Sequence, residues 1–145
     1  MILPACQFIA TAAAALFAGA SFYINIAEQP ARLRLSTEAA VNQWAPSYHR
    51  ATFMQAPLAI VSCLAGIGAW LWGGSAMWLA AAVLIGTVVP FTLIVIMPTN
   101  RALLSPDRDL GSPATRDLLV RWGRLHAVRT VLSLAAAALD IALLV

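Results

Sequence analysis

His126 and Arg129 stand three residues apart where a charged stretch turns apolar, and Glu28 and Arg32 stand four apart just beyond an earlier apolar run. An imidazole can take a proton, a guanidinium can hold the anion that results, and a carboxylate can adjust the charge of both. These four are the candidate catalytic residues. Asn25, Gln29, Tyr48, Gln55, Asn100, Arg121 and Trp122 are expected at the same depth and form the candidate binding set. Within it, Trp122 offers a flat surface to an aromatic ligand.

A metal centre is the competing chemistry. His49, His126 and Glu28 together would supply the two imidazoles and one carboxylate of a non-haem iron site. No pair among them has the HxxxH or ExxH spacing of a helical ligand pair, and neither Cys6 nor Cys63 is near. The reading is therefore of a site without metal or other cofactor, with non-haem iron as its alternative. GxGxxG, P-loop and CxxCH motifs are absent, so nucleotide and c-type haem have no support in the sequence.

The elements that must position these groups are membrane spans. Of 145 residues, 61% are apolar and 10% charged, against about 25% charged in soluble domains. Apolar runs at Ala5 to Ile26, Ala51 to Trp72, Met77 to Met97 and Thr130 to Val145 match the roughly 20 residues that cross a bilayer. They predict an all-α, four-helix transmembrane bundle with residues 1–145 as a single domain. The fourth helix should open at Ser112 and Pro113, a cap and a first-turn proline, and extend into the cytoplasm as a charged segment. At about 100° per residue, Trp122, His126, Arg129, Ser133 and Asp140 share one side of it. Arg129 then lies about 24 Å of helix from Val145, inside an apolar slab about 30 Å thick. Ionisable groups at that depth face a bundle interior or a wet cavity. Asp140, five residues from the end, is expected at the outer surface in contact with water.

Two other spans carry stripes of their own. Ser21, Asn25, Glu28 and Arg32 share a face of the first, and Tyr48, Thr52, Gln55 and Ser62 share a face of the second. Between these spans the mixed segment from Ala31 to Arg50 predicts a short interfacial helix, with Pro46 ending it or beginning the next span and with Trp44 and Tyr48 at headgroup depth. Trp70, Trp72 and Trp78 flank the Gly73-Gly74-Ser75 turn as an aromatic belt, and Pro90 should bend the third span. No internal repeat is evident from the letters.

All nine basic residues are arginines. Eight lie in the two long connections, and the Gly73 to Ala76 turn holds none. This bias places both long loops in the cytoplasm and both termini outside. It also accounts for the net charge of +3 without nucleic acid. Ala18-Gly19-Ala20 and Leu3-Pro4-Ala5-Cys6 look like processing sites but lack a positive leader or the right order, so the first span is expected to be retained. Cys6 and Cys63 differ in depth and are expected as free thiols.

Asn25-Ile26-Ala27-Glu28-Gln29-Pro30-Ala31-Arg32 after the first span, Pro98-Thr99-Asn100 after the third, and Arg121-Trp122 with His126 and Arg129 leading into the fourth resemble the anthrone oxygenase-like family of small membrane proteins. The resemblance runs over nearly the whole chain. It implies a four-helix membrane protein and, from the fungal members, oxidation of an anthrone to an anthraquinone by O₂ without an evident cofactor. On the matching positions it implies His126 as base, Arg129 and Arg32 as anion partners, Asn25, Glu28 and Asn100 as orienting groups, and Trp122 as the stacking surface. Expected partners are the lipid bilayer, a lipophilic aromatic molecule and molecular oxygen, with room for a homo-oligomer. The expected location is a bacterial inner membrane. The alternatives are a non-catalytic protein that binds or transports a lipid headgroup or small anion between Arg32 and Arg129, and a subunit stabilised by its partners.

Overall fold

The computed structural model describes residues 1–145 as four long helices with no strand. Helix α1 runs Ile2–Arg32, α2 Thr37–Leu71, α3 Ala76–Leu103 and α4 Pro113–Ala142, and each is long and apolar enough to cross a membrane. The chain is an integral membrane protein built as a four-helix bundle. Each helix packs against its sequence neighbours and α1 closes the ring on α4, whereas α2 and α4 meet only slightly across the diagonal.

The helix starts follow from capping. Ser36, Ser75 and Ser112 hydroxyls accept from the backbone N–H groups of Ala39, Met77 and Thr115 at 3.3, 3.2 and 3.2 Å, which satisfies donors that the first turn leaves free. The α2–α3 turn closes through Gly73, whose φ of +94° is the left-handed region that suits glycine. At the opposite end two arginines close the helix C-termini. Arg116 donates to the carbonyls of Leu33 and Leu35 beyond α1, and Arg108 donates to the Ala102 carbonyl in α3. Basic groups at these positions also complement the helix dipole.

Two turns depart from regular α geometry. Ile24–Glu28 in α1 and Thr92–Ile96 in α3 are π-helical, and they precede Pro30 and Pro98 respectively. Proline cannot donate to the carbonyl four residues back and crowds it, and a wider turn accommodates the clash. The third span is regular through Pro90, so its irregular turn lies at Thr92–Ile96 and not where a bend was expected.

Other expectations are corrected. The interfacial segment is helical, but it is not a separate element: α2 continues without a break from Thr37 through Pro46 and Pro57 to Leu71. Trp44 accordingly faces the bundle interior. It is fully buried, stacked on Tyr48 at 5.0 Å and edge-on to Trp122 at 5.8 Å, in a cluster with Leu119, Ile96 and Leu103. Trp70 and Trp72 are exposed as a belt requires, whereas Trp78 packs inside with Ala10 and Ala69. Asp140 is 2% exposed. It lies in the inward sector of α4, and that facing outweighs its closeness to the chain end. Cys6 and Cys63 are free thiols.

The helix pairs α1–α2 and α3–α4 repeat one layout. Trp44, Tyr48, Thr52, Gln55 and Ser62 on α2 have the same spacing as Trp122, His126, Thr130, Ser133 and Asp140 on α4. The two π turns occupy matching places ahead of Pro30 and Pro98. Under this correspondence Asn25, Glu28, Gln29 and Arg32 of α1 fall opposite Leu93, Ile96, Met97 and Asn100 of α3. One half is thus polar where the other is mostly apolar. The letters hide the repeat because the matched residues share shape and facing more than identity.

Candidate functional site

At the charged end of the bundle α1, α2 and α4 surround a small polar cavity of about 10 Å³, room for about one water molecule. Glu28 and Arg32 reach it from α1, Tyr48 and Gln55 from α2, and Trp122, His126 and Arg129 from α4. Helical spacing aims each set inward, and the small size of Gly123 lets α4 come close to α1.

The imidazole is held in a defined tautomer. Asn25 Nδ2 donates to the Gly123 carbonyl at 3.0 Å. That carbonyl only accepts, so Asn25 Oδ1 must face the other way, where it lies 2.7 Å from His126 Nδ1 and 2.6 Å from the Thr130 hydroxyl. An amide oxygen only accepts, so Nδ1 carries the proton and Nε2 keeps its lone pair. No protein group is hydrogen-bonded to Nε2. The ring is buried and packs against Trp122 with centroids 4.9 Å apart.

The two arginines are held very differently. Every side-chain nitrogen of Arg32 has an acceptor: Nη1 donates to Gln29 Oε1 at 2.5 Å, Nη2 to Glu28 Oε1 at 2.5 Å and Nε to Gln43 Oε1, and the guanidinium lies over Trp122 at 5.6 Å. Glu28 Oε1 also accepts from Ser47 at 2.5 Å and Gln43 at 3.2 Å. Gln29 Nε2 donates to the Leu119 carbonyl at 2.8 Å, tying the network to α4. Arg129 has no carboxylate partner, since Glu28–Arg32 is the one ion pair in the molecule. Its Nη2 donates to Gln55 Oε1 at 2.9 Å, its Nε is buried without an acceptor, and its guanidinium lies over Phe17 at 5.4 Å. A cation with spare donors and no counter-ion is a seat for an anion.

Of the residues singled out in the sequence, His126, Arg129, Arg32, Glu28, Tyr48, Gln55 and Trp122 line the cavity, and Asn25 and Gln29 brace it from behind. Arg121 does not join them. It is exposed, because one residue before Trp122 is a rotation of about 100° off the inward stripe. Asn100 is buried with both amide atoms unpartnered, but it lines neither this cavity nor the larger one beside it. His49 is exposed, so the three side chains weighed for iron are not gathered, and no three His, Cys, Asp or Glu side chains form a cluster. Sequence reasoning missed Gln43, Ser47 and Thr130. Ser47 and Thr130 each neighbour a singled-out residue along the same helix face; Gln43 carried no such signal.

Gly123 tests how tightly this arrangement is built. A Cβ there would lie 3.0 Å from Gln29 Cγ and Nε2, and Gln29 is fixed at both amide atoms. Gly123→Ala should therefore destabilise the protein by about 1–3 kcal/mol, seen as a lower melting temperature in a fixed detergent. Gly19→Ala, where a Cβ meets nothing within 4 Å, should leave the melting temperature unchanged; equal effects would show that Gln29 moves freely.

Comparison with known proteins places this geometry in a family. A family model described as anthrone oxygenase matches residues 44–139, which includes Trp122, His126 and Arg129. An anthrone oxygenase of Claviceps purpurea is 27% identical, over 89% of this chain and 82% of the relative. Anthrone oxygenase tpcL of Aspergillus fumigatus is 30% identical over 93% and 90%, and anthrone oxygenase ptaC of Pestalotiopsis fici 33% over 63% and 75%. No solved structure matches the chain. A buried imidazole and an unneutralised arginine inside a four-helix membrane bundle thus sit in a chain that belongs to the anthrone oxygenase family.

Proposed function

We propose that this protein is a membrane oxygenase that oxidises a lipophilic polycyclic aromatic carbon acid of the anthrone type with O₂, using His126 as the base. The observation that carries the reading is the His126 tautomer: Asn25 holds the proton on Nδ1, which leaves a lone pair on Nε2 beside an arginine that lacks a counter-ion. A pocket that only held an anion would need Arg129 but no ordered imidazole, so the Asn25 bond favours the base over the alternative of anion binding or transport.

An anthrone's central methylene is acidified by its carbonyl and two flanking rings. Nε2 takes one of its two protons, and the negative charge spreads onto the carbonyl oxygen, where Arg129 stabilises it. The electron-rich carbon gives its electrons to O₂ and forms a C–O bond. The resulting peroxide takes up the proton, then loses water with the second hydrogen of that carbon, leaving a second carbonyl. One anthrone and one O₂ become one anthraquinone and one water. These steps ask the protein only for a base and an anion seat, which is the basis for reading it as cofactor-independent.

Arg32 and Glu28 act through position in this scheme. Their bonds to Gln29, Gln43 and Ser47 hold the α1–α2 wall of the cavity. The aromatic body has a seat in a groove of about 280 Å³ between α1 and α2, which shares Glu28, Ser47 and Gln55 with the polar cavity and has Tyr23 and Arg50 along it. That volume is at the low end for ligand sites, about 300 Å³. The test is to give the purified protein an anthrone in detergent and follow quinone absorbance with O₂ uptake. One O₂ consumed per quinone is the expected result, and no uptake above the uncatalysed rate for any hydroxylated anthrone would overturn the proposal.

A further inference from the structure

We infer that the cavity between α2 and α3 is a dioxygen pocket that feeds the buried site from the lipid side, an inference that rests on the oxygenase reading. The cavity, of about 100 Å³, adjoins the polar one, and Tyr48, Thr52 and Arg129 line both. Away from these three its walls are apolar. Phe17, Ala59 and Val88 form the fully buried part, and Leu93 and Met97 stand nearer the rim. The Thr92 hydroxyl is spent on the Val88 carbonyl at 2.8 Å, so it offers the cavity no free donor.

Size decides the occupant. An enclosed apolar cavity of about 150 Å³ takes one benzene ring or xenon. At about 100 Å³ this one is too small for three fused rings. A diatomic gas fits, and away from Arg129, Tyr48 and Thr52 the apolar walls favour an apolar molecule over water. The outer side fits too. Leu93 is 59% exposed on the lipid-facing surface, and O₂ is more soluble in hydrocarbon than in water. At the inner end the gas would meet Arg129 and Tyr48, which also line the polar cavity that holds His126.

The repeated helices α1 and α3 line the two cavities with different chemistry. Glu28 and Arg32 of α1 line one, while their α3 counterparts are Ile96 and Asn100, and Leu93 and Met97 of α3 line the other. An anion and a gas need this difference in lining.

The test uses two readouts on the whole protein. Pressurised xenon, followed by ¹²⁹Xe chemical shift in detergent, should saturate at one site, and Ala56→Leu, which fills part of the cavity that Ala56 lines, should abolish that saturation. The same variant should raise the KM for O₂ roughly fivefold or more and leave the KM for the anthrone unchanged. Val89→Ala, which widens the cavity, should act in the opposite sense, and unchanged melting temperatures exclude misfolding as the cause. Absence of saturable xenon overturns the pocket whether or not the protein turns over. A raised KM for the anthrone with an unchanged KM for O₂ assigns the cavity to the aromatic and overturns it as well. Failure of the unaltered protein to consume O₂ would instead remove the oxygenase reading, and the xenon result would then describe an apolar void only.

Discussion

His126→Ala should lower the rate of quinone formation by about 10²–10⁴-fold, the usual contribution of a positioned general base. The loss should fall on kcat more than on KM, because Nε2 makes no bond that holds the protein together, and its one anchoring partner, Asn25, keeps Gly123 and Thr130. His49→Ala supplies the control, since that imidazole is exposed on α2 and its loss should leave the rate unchanged. Asn25→Ala separates position from chemistry: the imidazole remains but its tautomer is no longer fixed, so activity should fall while His126 is intact. The measurement is anthraquinone absorbance under air, with melting temperatures recorded alongside. A His126→Ala protein that works within a few fold of the parent would end His126's candidacy.

Arg129→Met should separate activity from stability. Removing a donor aimed at a developing oxyanion costs about 10²–10³-fold in kcat. Taking away a buried ionic group and replacing it by an apolar one of similar volume is often neutral or stabilising, and here the cation has no carboxylate to leave behind. The losses are its place over Phe17 and its bond to Gln55, the latter about 1–3 kcal/mol because the buried Gln55 Oε1 is left without a donor. Relief from burying an unpaired charge offsets these losses, so the variant should be nearly inactive with a melting temperature close to the parent's. Arg129→Lys keeps the charge but loses the fork geometry, so it should recover only part of the rate. A large drop in melting temperature for Arg129→Met would mean that the guanidinium serves the bundle, and catalytic loss could then not be attributed to an anion seat.

The fold was legible because composition and run length dictate it: four apolar stretches of spanning length leave few arrangements. The inward stripe of α4 was legible for the same kind of reason, since residues spaced three, four and seven apart must share a face. What failed were inferences that used distance along the chain in place of facing. Closeness to Val145 suggests a surface Asp140, and polar neighbours suggest an exposed Trp44, yet both lie in inward sectors. Arg121 erred in the opposite way, sitting beside Trp122 in sequence but turned away from it in space. The difference between Arg32 and Arg129 was not legible at all, because it depends on Gln43 and Ser47, which only the hairpin geometry brings to Glu28. The apolar cavity left no mark in the sequence either, being lined by the same Ala, Val and Leu that fill the rest of the core.

The doubled layout of the helix pairs bears on why the chain is one polypeptide. Two identical hairpins assembled side by side would give each niche the same lining, so either two guanidinium clusters would have to be buried or none. Fusing the halves lets α1 carry Glu28 and Arg32 while the matching positions of α3, Ile96 and Asn100, carry no charge, with the cost of ionic burial met once. Tyr48, Thr52 and Arg129 form the seam between the unlike niches, a junction that no assembly of equal parts can present.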